Sequence, residues 1–202
     1  MIRLDIPFYL QTTKLNCGPI TLKMVLEFLG EEHSLEELES LAGIKEGKAV
    51  STIRLAIAAR KLGFKVDFYS KIIGLNPENL KLDFYKNLSD LDKKELETLN
   101  QEAKSLGVNI FQKALFLDSI IENIEEDRAM IVLLDWNKIK GKEGFQGHFV
   151  PIVGFDKENI LVHNHGFLNP SSFLSLTKNQ FEQARKAKGT DEDLLIIYKK
   201  TD

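Results

Sequence analysis

The chain has 202 residues, of which 43% are hydrophobic, and it carries a formal net charge of -3 with a pI near 5.9. This length fits one domain that can bury a sizeable hydrophobic core. The mild acidity argues against a nucleic-acid partner. No apolar run approaches the roughly 20 residues that span a bilayer. A single cysteine excludes an intramolecular disulfide and a cysteine-based zinc site. Residues 1–5 lack signal-peptide character. We therefore expect a cytoplasmic protein without membrane insertion or cofactor.

The first third of the chain predicts a cluster of helices followed by one strand. The apolar run from Ile20 to Leu29 is too dense for a surface stripe, which indicates a largely buried helix. Glycine follows each predicted helix at the position where helices commonly stop. In order, the predicted elements are an extended lead-in over residues 2–10, a helix from about Cys17 to Gly30, a helix capped by a Ser34–Glu37 capping box that stops at Gly43, a helix over 52–62 capped by Ser51 that stops at Gly63, and a strand over residues 64–68.

Residues 71–115 have a different character, because charged and amide side chains dominate there. An amphipathic helix is predicted from about Leu91 to Leu106, with Gly107 as its stop. We interpret 71–115 as a charged helical insertion or lid within a single domain that spans residues 1–202. A short helix is predicted to follow over residues 119–127.

The final third is rich in strand signals. A buried strand over 130–134 leads to Asp135 and Trp136, and strands over 148–154 and 160–164 flank a polar turn, which predicts an antiparallel hairpin. Thr177 should cap a further helix, and a last strand should cover 194–198. Helices first and an antiparallel sheet last favour an α+β fold with the two halves segregated.

The stretch from Gln11 to Pro19 contains the only cysteine, at the predicted start of the buried helix. A thiol at this position experiences the positive end of the helix dipole, which favours the thiolate. The backbone N–H of Cys17 and the side-chain amide of Gln11 are candidate oxyanion donors. A lone cysteine is more often a small buried hydrophobic residue, so this stretch by itself leaves both interpretations open.

The predicted hairpin adds a candidate base. If the turn is symmetric about residues 156 and 157, His148 lies opposite position 164 or 165, close to Asn164. His148 would take the thiol proton and later protonate the leaving group. Asn164 would hold the other ring nitrogen, as in a Cys-His-Asn triad.

In chain order, Gln11, Cys17-Gly18-Pro19, His148 at the head of an apolar strand and then Asn164 resemble a papain-like cysteine peptidase. The pattern is most similar to the bacteriocin-processing, double-glycine peptidase domain of peptide exporters and its stand-alone relatives. This resemblance implies a papain-like fold, with Cys17 as nucleophile, His148 as base, Asn164 as orienter and Gln11 as oxyanion donor. It also implies a peptide or other amide substrate.

The chain departs from that family in two ways. The third member of the triad is usually an aspartate followed by proline, whereas here Asn164 precedes His165. An amide orients an imidazole without offsetting its charge, which weakens a thiolate–imidazolium pair. The insertion at 71–115 is also absent from a minimal peptidase of this type.

Further candidates stay open at this stage. Substrate contacts are predicted for Asn16, Gly18, Trp136 and Gly147. A metal site is an alternative near the hairpin, where His148, His163 and His165 lie and where Asp135 ends the preceding strand; His163 and His165 would share a face of the strand. Three function classes remain: a cysteine peptidase or related hydrolase, an acyl or peptidyl transferase with the same thioester chemistry, and a non-catalytic peptide-binding module.

Overall fold

The computed structural model describes residues 1–88, 93–167 and 169–201. In chain order its elements are β1 (Ile2–Arg3), α1 (Cys17–Phe28), α2 (Leu35–Leu41), α3 (Thr52–Lys61), β2 (Lys65–Tyr69), a 3-10 turn (Asn79–Lys81), α4 (Asp83–Leu88), α5 (Lys93–Ser105), β3 (Asn109–Phe111), α6 (Leu117–Glu122), β4 (Arg128–Asp135), α7 (Trp136–Ile139), β5 (Gly147–Phe155), β6 (Asn159–Asn164), β7 (Ser171–Thr177), α8 (Lys178–Arg185) and β8 (Leu194–Tyr198). None of the helices in these ranges is long and apolar enough to cross a membrane.

One mixed sheet forms the centre of the described chain. Its strand order is β3-β2-β8-β4-β5-β6-β7, and β1 pairs with β5 beside this path. The β2–β3 pair is parallel, and the other pairs are antiparallel. The α+β prediction is confirmed. The two halves are less segregated than expected, because β2 and β3 extend the sheet of the C-terminal half.

Helix α1 is the buried helix that the apolar run predicts. It packs against β4, β5, α2 and α3, and eight of its residues are buried. Its C-terminus is closed by Gly30, which has φ +103 and donates its N–H to the carbonyl of Glu27 at 3.0 Å. Only glycine adopts this left-handed conformation without steric cost.

The predicted helix caps differ in outcome. Ser34 Oγ accepts the N–H of Glu37 at 3.1 Å, and Thr177 forms a full capping box with Gln180. Ser51 occupies the N-cap position of α3, but its side chain makes no capping bond, and the buried Oγ has no partner. The position of that cap was predicted correctly, and its hydrogen bond was not.

The segment 71–115 contains more structure than one amphipathic helix. Helix α5 is present at the predicted place, although Leu91 lies outside the described residues. Leu99 and Ala103 are buried as α5 packs on α3. Strand β3, which was not predicted, pairs with β2 from Asp67–Asn109 to Tyr69–Phe111, so the segment is joined to the sheet.

The hairpin of β5 and β6 forms, but its register differs from the symmetric one. Ile152 pairs with Val162 and Gly154 with Leu161, with a bulge between the two pairs. A Cβ at Gly154 would lie 2.2 Å from the carbonyl oxygen of Ile2 in β1, so a glycine is needed where the third strand approaches. The extra residue of the bulge in β5 shifts the register of β5 against β6 away from the symmetric pairing.

Candidate active site

Cys17 is the first residue of α1, where local sequence fixes the chain closely. The N-cap residue Asn16 is buried; its Oδ1 accepts the N–H of Thr13 at 3.2 Å and its Nδ2 donates to Thr12 Oγ1 at 2.8 Å. A Cβ on Gly18 would lie 2.4 Å from Val50 Cγ1. The residues on either side of Cys17 thus hold the turn and pack the helix start on its neighbours.

His148 lies at the second position of β5 and is 6% exposed. Its ring meets Trp136 edge-on with 4.8 Å between centroids, and the ring of His165 also lies 4.8 Å away. Its Nε2 is buried without a hydrogen-bond partner. The hydrogen bond between His148 and Asn164 is therefore made through Nδ1, the other ring nitrogen.

Asn164, the last residue of β6, is oriented by its own contacts. Its Nδ2 donates to the carbonyl of Asn169 at 2.7 Å, and its Oδ1 accepts the N–H of Gly166 at 3.3 Å. The amide therefore presents its oxygen to His148. An oxygen acceptor at Nδ1 selects the tautomer with hydrogen on Nδ1, which leaves a lone pair on Nε2.

Gln11 is buried in the segment that precedes α1. Its backbone N–H donates to the carbonyl of His165 at 2.9 Å, and its Nε2 donates to the carbonyl of Thr13 at 3.1 Å. An amide nitrogen has two hydrogens, so one remains after this bond.

A cavity of about 210 Å³, here called the His148 cavity, gathers these groups. All four side chains predicted for chemistry line it: Gln11, Cys17, His148 and Asn164. Trp136 and Gly147 line it as well. Asn16 and Gly18, which were also predicted to contact substrate, do not line it.

Electrostatics in the resting site favour neutral side chains. Burial raises the pKa of the Cys17 thiol, against backbone hydrogen bonds, first that of Phe149, which lower it. Burial also holds the pKa of His148 well below its usual value, with His165 and Lys140 acting the same way and the Asn164 bond opposing them. The helix dipole was expected to favour a thiolate. Desolvation outweighs it here, so the resting pair is thiol and imidazole.

The residues proposed as an alternative metal site do not converge. His163 donates from Nε2 to the carbonyl of Ile6 at 2.9 Å and accepts the N–H of Phe173 at Nδ1. Asp135 accepts two backbone N–H groups at 3.0 Å. Across the described ranges, no group of three or more His, Cys, Asp or Glu side chains comes together to hold an ion.

His165 has a structural position that sequence reasoning missed. Its Nε2 lies 3.2 Å from the carbonyl oxygen of Cys17 and 3.4 Å from Thr21 Oγ1. It therefore connects the end of β6 to the first turn of α1, between the thiol residue and the ring of His148. Its place directly after Asn164 was the only signal available in the sequence.

A second cavity of about 120 Å³ shares Cys17 and Gly147 with the His148 cavity, and no sequence motif indicated it. We call it the Asp193 pocket. Its wall includes Cys17, Val50, Asn79, Leu133, Asp191 and Asp193, together with further side chains of the 71–115 segment.

Comparison with known proteins establishes the family. Residues 6–197 match the profile of the guanylylate cyclase family. The chain belongs to this family. Guanylyl cyclase 1 of Arabidopsis thaliana is 25% identical over 209 residues, an alignment that covers 96% of this chain and 76% of the relative.

Solved structures similar to this family member are peptidase domains. The peptidase domain of ComA, a bifunctional ABC transporter of Streptococcus involved in quorum sensing, has a TM-score of 0.54 and 15% identity, covering 97% of this chain and 100% of its own. A double-glycine motif protease from an AMS/PCAT transporter, solved with its leader peptide, has a TM-score of 0.55 and 17% identity, covering 98% and 94%. A C39-like peptidase from Bacillus anthracis has a TM-score of 0.50 and 16% identity, covering 98% and 96%. The fold is that of double-glycine peptidase domains, as the resemblance implied.

Proposed function

We propose that this member of the guanylylate cyclase family is a cysteine-dependent hydrolase of peptide or other amide bonds. The observation that carries the proposal is the unpartnered Nε2 of buried His148, which shares a cavity with the only thiol of the chain. A buried nitrogen without a partner is costly. In a catalytic base the same lone pair is kept free for the proton of the nucleophile.

In the proposed acylation step, Nε2 of His148 takes the Sγ proton while Sγ bonds to the substrate carbonyl carbon. The carbonyl electrons move to oxygen, where the backbone N–H of Cys17 and the remaining hydrogen of Gln11 Nε2 are the expected donors. Collapse of this intermediate breaks the C–N bond, and His148 returns the proton to the leaving amine. Asn164 keeps the ring in the required tautomer.

The resulting thioester is released by attack of water or of an amine. Water gives hydrolysis and an amine gives acyl transfer, with His148 removing a proton from either. We place hydrolysis first because the solved proteins that share the fold are peptidases. The leader peptide bound by one of them supports a peptide substrate for this chain.

The test uses p-nitrophenyl acetate, because this ester acylates an activated thiol whatever the natural substrate. We expect a burst of p-nitrophenol and a single acetyl group on Cys17, detected by mass spectrometry. His148→Ala should slow acylation by roughly 10²- to 10⁴-fold, the usual contribution of a general base. Cys17→Ala is the control for background labelling. Equal acylation rates in wild type and His148→Ala would overturn the proposal.

The names of the family and of its Arabidopsis relative suggest nucleotide cyclisation as a second candidate function. Phosphoryl chemistry of nucleoside triphosphates commonly uses divalent cations held by carboxylates. Among the residues that the structure describes, no set of three such ligands comes together. Assay of cyclic GMP from GTP and Mg²⁺ with the wild type and Cys17→Ala tests this candidate directly.

A further inference from the structure

The Asp193 pocket contains carboxylates without a counter-cation. Asp191 and Asp193 are half-buried on either side of Glu192 and both line the pocket. Glu192 is turned away, where it pairs with Arg185 at 2.7 Å and with Lys71. Within the described ranges, neither Asp191 nor Asp193 forms an ion pair with a lysine, arginine or histidine. Partly buried carboxylates usually have such a partner.

The polar contacts of these carboxylates come from neutral groups. Asp191 accepts from Asn76 Nδ2 at 2.6 Å and from Asn79 Nδ2 at 2.7 Å. Asp193 accepts from the hydroxyl of Thr52. Burial raises the pKa of Asp193 to about 7, and it raises the pKa of Asp191 as well. These neutral donors therefore leave the burial of charge uncompensated.

Acceptor atoms without partners line the same wall. Asn79 is 5% exposed; its Nδ2 donates to Asp191, and its Oδ1 is buried without a hydrogen-bond partner. Asn100 Oδ1 and Ser51 Oγ are also buried in this wall without partners. A ligand that offers several N–H donors would satisfy these atoms together with the carboxylates.

The rest of the wall is apolar and leads to the thiol. Val50, Phe68, Leu133 and Phe149 line it. Phe149 pairs with Leu133 across β5 and β4, and the N–H of Leu133 donates to the carbonyl of Asp193 at 3.1 Å. The backbone of Asp193 thus lies about two strand spacings, roughly 10 Å, from β5, whose Phe149 hydrogen-bonds to Cys17 through its backbone.

We propose that the Asp193 pocket binds the ammonium or guanidinium end of a long basic side chain, of the lysine or arginine class, on the substrate that Cys17 attacks. The specificity role rests on the proposed function, whereas binding of the cation does not. An apolar stem with a charged, donor-rich head matches the wall of the pocket along its length. An ammonium or guanidinium supplies both the missing counter-charge and the N–H donors.

The first test is binding without chemistry. Calorimetric titration of the wild type with n-hexylammonium and with 1-hexanol compares the same stem with and without the cation. We expect hexylammonium to bind at least about tenfold more tightly, and Asp193→Asn and Asp191→Asn each to remove most of that difference. Asp83→Asn, a carboxylate with an 89% exposed side chain in the same segment, is the matched control. Equal binding of the two compounds, or a preference that survives in both pocket variants, would overturn the proposal.

The second test measures specificity at the thiol. Dipeptidyl chloromethyl ketones that end in lysine, norleucine or glutamate should label Cys17 in that order of rate, with lysine about tenfold faster than norleucine. Norleucine labelling as fast as lysine labelling would overturn the specificity role. Since p-nitrophenyl acetate reports on the nucleophile alone, an unreactive thiol there with tight hexylammonium binding would reject the proposed function and retain the cation site.

Discussion

At the scale of single residues, the site depends on one tautomer of one histidine. The amide of Asn164 is fixed by the carbonyl of Asn169 and the N–H of Gly166, and so it presents oxygen to Nδ1 of His148. Nothing in this arrangement offsets a positive charge on the ring, and burial lowers its pKa further. In this site the Cys17 proton therefore moves to His148 during the attack on substrate, and little thiolate is present before the substrate binds.

Replacement of Asn164 tests this account in both directions. Asn164→Asp keeps the acceptor and adds a negative charge, which raises the pKa of His148 and stabilises a thiolate–imidazolium pair. We expect faster alkylation of Cys17 by iodoacetamide at pH 7 in Asn164→Asp than in the wild type. Asn164→Ala removes the acceptor and should slow p-nitrophenyl acetate acylation by about 10- to 100-fold. An Asp variant that alkylates no faster than wild type would show that the ring charge does not limit the thiol.

At the residue scale, chain order carried the most information in the sequence. The family resemblance grouped Gln11, Cys17, His148 and Asn164, which line one cavity in the structure, and their catalytic roles stay a prediction. The direction of the thiol pKa shift could not be predicted, since the burial that raises it and the backbone hydrogen bond of Phe149 that lowers it both come from tertiary packing. The Asp193 pocket was missed because its residues are far apart in the chain: Asp193 and its hydrogen-bond donor Thr52 are separated by 141 positions.

At the scale of elements, the sequence was most informative about helix ends. Glycines follow α1, α2 and α3 as predicted, and β8 has the predicted bounds. The two missed strands have weak local signals and are defined by their neighbours: β3 by β2, and β7 by β6. The hairpin bulge likewise depends on β1, whose backbone approaches Gly154. Pairing partners are tertiary information, which a single strand does not contain.

Two helix starts offer a matched comparison of capping. Thr177 accepts the N–H of Gln180 at 3.1 Å, whereas Ser51 makes no capping bond. We expect Thr177→Ala to lower the free energy of unfolding by about 1 kcal/mol. Ser51→Ala should leave it nearly unchanged, because the substitution removes a buried hydroxyl that has no partner. Urea unfolding at pH 7 measures both. A cost for Ser51→Ala equal to that of Thr177→Ala would contradict the assigned difference in hydrogen bonding.

At the scale of the whole molecule, buried groups give stability two opposed dependences on pH. Burial lowers the pKa of His165 to about 4 from 6.5. Between these two pH values, His165 is protonated in the unfolded chain but neutral in the folded chain. The free energy of unfolding therefore falls as pH falls. The pKa of Asp193 is raised to about 7 from 3.8. Between pH 3.8 and about pH 7, Asp193 keeps its proton in the folded chain but has released it in the unfolded chain. The free energy of unfolding therefore falls as pH rises through this range.

Single substitutions should separate these two contributions. Relative to His165→Gln, the wild type should lose about 3 kcal/mol of stability between pH 7 and pH 4, which is less than the full effect of about 3.5 kcal/mol because His165 is already half protonated in the folded protein at pH 4. Relative to Asp193→Asn, the wild type should instead lose stability between pH 4 and pH 7. Denaturant titrations at four pH values measure the free energy of unfolding of the wild type and of each variant. The contributions of the other buried groups are the same in both proteins and cancel in the difference. Parallel curves for wild type and His165→Gln would mean that His165 takes up its proton in the folded protein near pH 6.5, and that the carbonyl of Cys17 is not held by a neutral ring.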